Sequence, residues 1–336
     1  MKHYKGLLLA FVAVAALALT ACTGAKPEPQ AQPVEANPPL QVVTTIFPPF
    51  DFIRAIAGDR IALTMLISPG AESHAYEPTP RDMITLQQAD LFVYVCREAE
   101  HWVTQVLGAL ENEDMYTTAL IAMVDPLYAD QTHGQNHEHS HTHSHNHGHS
   151  HGHSHDHAHH QYDEHVWTSP RNAIRIVEAL THTLSQLDPT NAYYFQSNAA
   201  AYILELEALD RALTNVVAEA ARTTIVFGDR FPFAYLAHDY GLTAYAAFPG
   251  CANETYASPA TIAWLIDKVN HDNIPVVFYI ELSNRQIANV IAEATGATLL
   301  ELHSAHNVSH TDFTAGLTYL DIMARNIEHL REALSQ

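Results

Sequence analysis

Basic residues are scarce in this chain. Sixteen Lys and Arg stand against 37 Asp and Glu, a formal charge of −21. No basic stripe exists to neutralise phosphates, which argues against a nucleic-acid partner. The acidic surplus instead raises the local concentration of divalent cations, an effect that salt screens. Cysteine is nearly absent: Cys22, Cys96 and Cys251 occur without a C-x-x-C pair, and the last two, so far apart, permit a disulfide without demanding one. No H-E-x-x-H, nucleophile elbow or phosphate loop is present, so no enzyme is expected. Beyond the N-terminus no apolar run approaches the length of a membrane-spanning helix.

Histidine is what the chain has in excess. From His133 to His160 imidazoles alternate with Ser, Gly, Asn and Asp, at His133, His137, His139, His141, His143, His145, His147, His149, His151, His153, His155, His157, His159 and His160. A neutral ring nitrogen is the commonest protein ligand for borderline ions such as Zn²⁺, Ni²⁺ and Cu²⁺. Many overlapping weak sites result. Such a composition cannot recover its ordering entropy by burying apolar surface, so residues 131–160 are expected to form a disordered loop that collects metal.

The N-terminus indicates a location. Lys2 and Lys5 precede the apolar run Gly6 to Leu19, and Leu19-Thr20-Ala21-Cys22 follows. The pattern resembles a bacterial lipoprotein signal, residues 1–21, with lipidation of Cys22 after cleavage. Residues 22–40, rich in proline, read as a flexible tether holding a body outside the cytoplasm, at the cell surface or in a periplasm.

Roughly 270 residues remain for a folded body. Short β-rich runs at Val42–Ile46, Ala62–Ile67 and Leu91–Val95 alternate with helical stretches, giving a first α/β lobe over residues 41–170. Connecting helices over 171–222 follow, one spanning Asn191–Arg222. Residues 223–336 repeat the pattern, with strands at Thr224–Phe227, Ala244–Phe248, Val276–Ile280 and Thr298–Leu302 and a last helix over Asp312–Leu334. The fold class is therefore α/β: two lobes, each a mainly parallel sheet flanked by helices, joined by one long backbone helix. Candidate ligands follow strands, at the carboxyl ends where open α/β sheets bind. His74 stands in the segment Pro69 to Pro78, and His165 in Asp163-Glu164-His165-Val166-Trp167-Thr168-Ser169-Pro170.

With H-x-Y-E-P-x-P and D-x-H-x-W-x-S-P in this order, the body resembles the cluster A-I solute-binding proteins of ABC importers for zinc and manganese, which include the ZnuA-like lipoproteins. The resemblance extends through Val43 to Pro48, Ala234 to Leu242 and Phe278 to Asn284. It implies a high-affinity Zn²⁺ receptor, a membrane permease as partner, attachment through the lipid anchor, and a monomer. It also places the first two ligands on His74 and His165. The family's third ligand lies in H-x-A-F-x-Y, where this chain has Arg230-Phe231-Pro232-Phe233-Ala234-Tyr235. A guanidinium cannot ligate, so that ligand is lost or moves to Asp229. The fourth position falls after the last strand, where His303 is the best match and His306 is possible.

The expected set is thus His74, His165 and His303, completed by Asp229, Glu281, His306 or water. Three imidazoles with an oxygen suit Zn²⁺ better than Mn²⁺, while Ni²⁺, Cu²⁺ and even Mn²⁺ stay open. Asp163 and Glu77 are expected to cap helices or orient imidazoles, and Trp167 and Tyr76 to pack between lobes. Two other readings compete: a His-rich storage, buffering or adhesin lipoprotein, in which the tract is the whole function, and a zinc hydrolase using Glu72, Glu77 or Glu164 as base.

Overall fold

The computed structural model describes residues 38–71, 76–129, 162–250 and 257–335. The expected signal, Cys22, most of the tether, His74, all fourteen tract histidines and Cys251 lie outside the described residues.

In the first lobe β1 (Leu40–Thr44), β2 (Ile61–Met65), β3 (Leu91–Tyr94) and β4 (Tyr116–Ala119) form a parallel sheet in the order β2-β1-β3-β4. The connecting helices are α1 (Phe47–Ala57), α2 (Pro80–Gln87) and α3 (His101–Ala109). Proline sits in the first turn of α1, where its missing N–H costs nothing, and Thr79 and Asp82 close a capping box on α2. Parallel strands are covered on both faces, so they read as continuous apolar runs; all four residues of β3 are buried. Strand β4 escaped sequence reading because Tyr-Thr-Thr-Ala offers no such run.

Helices α4 (Pro170–Leu187) and α5 (Ala192–Ala218) lead to the second lobe. There β5 (Thr224–Phe231), β6 (Thr243–Pro249), β7 (Val276–Tyr279) and β8 (Thr298–Glu301) repeat the arrangement as β6-β5-β7-β8, with α6 (Ala234–Tyr240), α7 (Pro259–His271) and α8 (Gln286–Thr295) between them. Strand β5 runs past the expected Phe227 through a register shift between Phe227 and Arg230. Glycine makes that passage possible, since a Cβ on Gly228 would lie 2.3 Å from the Ala288 Cα. The expected last helix is two, α9 (His310–Thr314) and α10 (Tyr319–Leu334). Gly316 breaks the run at φ 82°, and Thr318 with Asp321 caps the new helix.

At 27 residues α5 is about 40 Å long. It packs on α1 and α4 and also on α10, forming a spine across the body. One hydrophobic core passes through both lobes, with Phe47, Trp167, Phe195, Phe227 and Tyr319 fully enclosed. Each sheet reverses its strand order between the first and third strands, opening a crevice at the carboxyl ends. No described helix is long and apolar enough to cross a membrane.

Candidate metal centre

A cavity of about 60 Å³ opens where the carboxyl ends of both sheets meet. Ala71 enters from the chain beyond β2, Arg230 and Gly250 from the ends of β5 and β6, Glu281 from beyond β7, and His306 from beyond β8. His165, on the segment leading into α4, forms the remaining wall.

Three side chains here each offer a ligand atom, from Glu164, His165 and His306, all within 4.8 Å of one another. His165 is buried, and its ring is fixed by its neighbour. The Asp163 Oδ1 accepts the His165 backbone N–H at 2.9 Å and lies 3.0 Å from Nδ1. A carboxylate can only accept, so Nδ1 donates to it, and in the neutral ring the lone pair is then on Nε2. That Nε2 is 3.7 Å from Glu164 Oε1. Trp167 packs edge-on to both rings, with His165 and His306 centroids 5.4 Å apart. Two imidazoles and a carboxylate in a buried pocket form a donor set suited to Zn²⁺.

His306 owes its direction to a tight turn. Ala305 adopts φ 60°, uncommon for a residue with a Cβ. Its N–H donates to His303 Nδ1 at 3.0 Å, and Ser304 Oγ accepts the His306 N–H at 3.2 Å. His303 is thereby the wedge inside the turn. It is buried, with its backbone N–H and carbonyl both bonded to the Asn326 amide. Its Nδ1 lone pair serves the Ala305 N–H, and the ring lies outside the Glu164–His165–His306 group. Sequence ranked His303 ahead of His306; in the fold it is His306 that meets His165.

The remaining candidates already carry hydrogen bonds. Asp229 Oδ1 accepts the Arg230 N–H at 2.8 Å and Oδ2 the Ile280 N–H at 3.5 Å, tying β5 to the end of β7. Glu281 lines the cavity, but its carboxylate accepts the Ser304 N–H at 2.7 Å and hydroxyl at 2.5 Å. His74 lies in the undescribed residues 72–75, and the chain enters them from cavity-lining Ala71. Asn307 holds that approach by donating to the carbonyls of Ser68 at 3.2 Å and Ala71 at 2.8 Å. Nothing in the sequence singled out Asn307. The sequence offers Glu164 only as a hypothetical base, although its place beside His165 is an available signal.

Other bonds lock the segment 162–171 onto the second lobe. Trp167 Nε1 donates to the Ser304 carbonyl at 2.8 Å, Tyr319 Oη to the Trp167 carbonyl at 2.6 Å, and Ser169 Oγ to Asp239. Behind the site Glu100 is buried, and desolvation pushes its pKa up to about 7 against the lowering effect of hydrogen bonds that include the Val95 N–H, with Glu164 nearby adding to the rise. Burial likewise pushes the Cys96 thiol up to about 12, so it offers no thiolate.

A family model described as ZnuA, zinc-uptake complex component A, periplasmic, matches residues 42–333. The chain is 32% identical over 338 residues to the zinc-binding lipoprotein AdcA of Streptococcus pneumoniae, covering 99% of this chain and 62% of that protein. It thus spans about three fifths of that longer relative. Against the high-affinity zinc uptake system protein ZnuA of Bacillus subtilis it is 30% identical over 333 residues, covering 99% of this chain and 98% of that one. The solved structure of the Zn(II)-bound ZnuA-like domain of Streptococcus pneumoniae AdcA superposes with a TM-score of 0.71 at 28% identity, over 89% of this chain and all of that one.

Proposed function

Since the chain belongs to the ZnuA family, the zinc-uptake complex component A proteins, we propose that it is the high-affinity Zn²⁺ receptor of an ABC importer, taking the ion outside the cytoplasmic membrane and delivering it to a permease. The observation that carries this reading is the Glu164–His165–His306 group at the meeting of the two sheets' carboxyl ends. His74, on the chain entered from Ala71, completes the proposed set.

The physical logic is capture by replacement. Zn²⁺ loses water to two neutral imidazoles and a buried carboxylate, and Asp163 keeps His165 in the tautomer that presents Nε2. His74 would bring a first-lobe ligand to a group tied to the second lobe, so the ion would favour the closed arrangement. Segment 162–171 is already bonded to the second lobe at Ser304 and Asp239, which points to a small closing movement. Cys22 lipidation and the tether would hold this receptor at the membrane, and the His tract would gather ions beside it.

Storage in the tract is the competing reading, favoured by the fourteen imidazoles themselves. Chelator competition on the body with residues 131–160 removed separates the two. Import predicts that one tight Zn²⁺ site survives; storage predicts that it disappears.

A further inference from the structure

The undescribed residues 130–161 contain the whole His tract, and both feet of that segment are described. Tyr128 and Tyr162 pair there as an antiparallel bridge, their rings stacked with centroids 4.8 Å apart. Just inside them Asp163 N–H donates to the Leu127 carbonyl at 2.9 Å. One hydroxyl closes this pair into a ring. Tyr235 Oη, from α6 in the second lobe, accepts the Leu127 N–H at 3.1 Å and donates to the Asp163 carbonyl at 2.8 Å.

Tyr235 is 2% exposed, so its hydroxyl has little access to water, and these two backbone groups depend on it in turn. The consequence reaches the metal centre, because the residue whose carbonyl Tyr235 holds is the residue whose carboxylate orients His165. We propose that Tyr235 is a positioning residue that keeps the feet of the histidine-rich segment and the His165 imidazole in one fixed register. His160 is five positions before His165, a span of at most about 18 Å when extended. A loosened foot would therefore disturb the cavity ligand and the point of delivery together. This inference rests on the receptor reading above.

The test uses the full chain and its Tyr235→Phe and Tyr162→Phe variants. Both substitutions remove a hydroxyl at the same root, but Tyr162 Oη contacts only Tyr128 Oη, at 3.5 Å, among the bonds described for it. Tight-site Zn²⁺ affinity is measured by chelator competition, and the visible absorption of the protein with one equivalent of Co²⁺ reports ligand geometry. Thermal unfolding of the metal-free variants records any structural cost separately. Tyr235→Phe is expected to weaken the tight site by up to about tenfold, the low end of the cost of losing a direct partner of a ligating histidine, since it acts through Asp163, and to shift the Co²⁺ bands. Tyr162→Phe should match the parent in both. Unchanged affinity and bands in Tyr235→Phe, or an equal loss in Tyr162→Phe, would overturn the inference while leaving the receptor reading intact. Absence of any tight site in the parent chain would remove both.

Discussion

Two buried histidines, His165 and His303, differ in place, one lining the cavity and the other in the turn beside it, but each lies near a carboxylate. His165 Nδ1 is 3.0 Å from Asp163, and His303 Nδ1 is 3.6 Å from Glu281. Their burial is alike, at 2% and 5% exposure. What separates them is the partner of Nδ1. At His165 that nitrogen faces an acceptor, so it holds the proton and Nε2 is left with a lone pair. At His303 it accepts the Ala305 N–H, so its own lone pair is used in building the turn that carries His306. A histidine's fitness as a ligand is thus decided by the bond its other nitrogen makes, more than by burial or position after a strand.

Replacing either imidazole of the described group should produce the largest effect. Structural Zn²⁺ sites bind with about 10–16 kcal/mol shared among four ligands, so His165→Ala or His306→Ala should each weaken the tight site on the order of 100-fold. His303→Ala should change zinc affinity far less while lowering the unfolding midpoint, because it empties the centre of a turn. Equal losses of affinity at His303 and His306 would erase the distinction. Chelator competition beside thermal unfolding checks all three variants.

The His165 side also carries a pH signature. Burial raises Glu100 from 4.5 to about 7, so the fold favours its neutral form. The cost of ionising it is absent below pH 4.5, grows as pH rises towards 7 and is fully present above. Glu100→Gln should therefore be more stable than the parent by about 3 kcal/mol at pH 8, the difference vanishing near pH 4. Denaturant titrations of metal-free protein at both pH values measure it; a difference independent of pH would contradict the assignment.

Asp163→Asn comes next in size. It keeps the shape but lets the amide present either a donor or an acceptor to Nδ1, and about a tenfold loss of zinc affinity is expected. The smallest expected change is at Arg230, the position where the sequence resemblance leads one to expect His. Arg230→His should tighten Zn²⁺ binding by roughly threefold to tenfold, since an imidazole can ligate and a fixed guanidinium beside a divalent ion cannot. Weaker binding in that variant would mean that Arg230 supports the cavity.

The strand runs were legible because parallel strands buried on both faces must be apolar throughout, as in Leu91 to Tyr94. The polar edge strand at Tyr116 left no such trace. His165 was legible through its Asp-Glu-His-Val-Trp context, and Asp163 does orient the ring as the sequence suggested. That His306 meets His165 while His303 folds inside the turn was not legible. It turns on a left-handed Ala305 and on which atom accepts its N–H, and neither is encoded in spacing along the chain. Glu164 and Asn307 were obscured for a related reason, since their importance lies in contacts with residues far away in sequence.

The proposed cleft site uses His165 and His306 and leaves His303 to the turn. Crystals of the chain lacking residues 131–160, soaked with one equivalent of Zn²⁺, would locate the ion by its anomalous scattering. A single peak at about 2.0–2.1 Å from a nitrogen of both His165 and His306, with none at His303, is the predicted result. A peak bonded to His303, or no peak in the cavity, would contradict it.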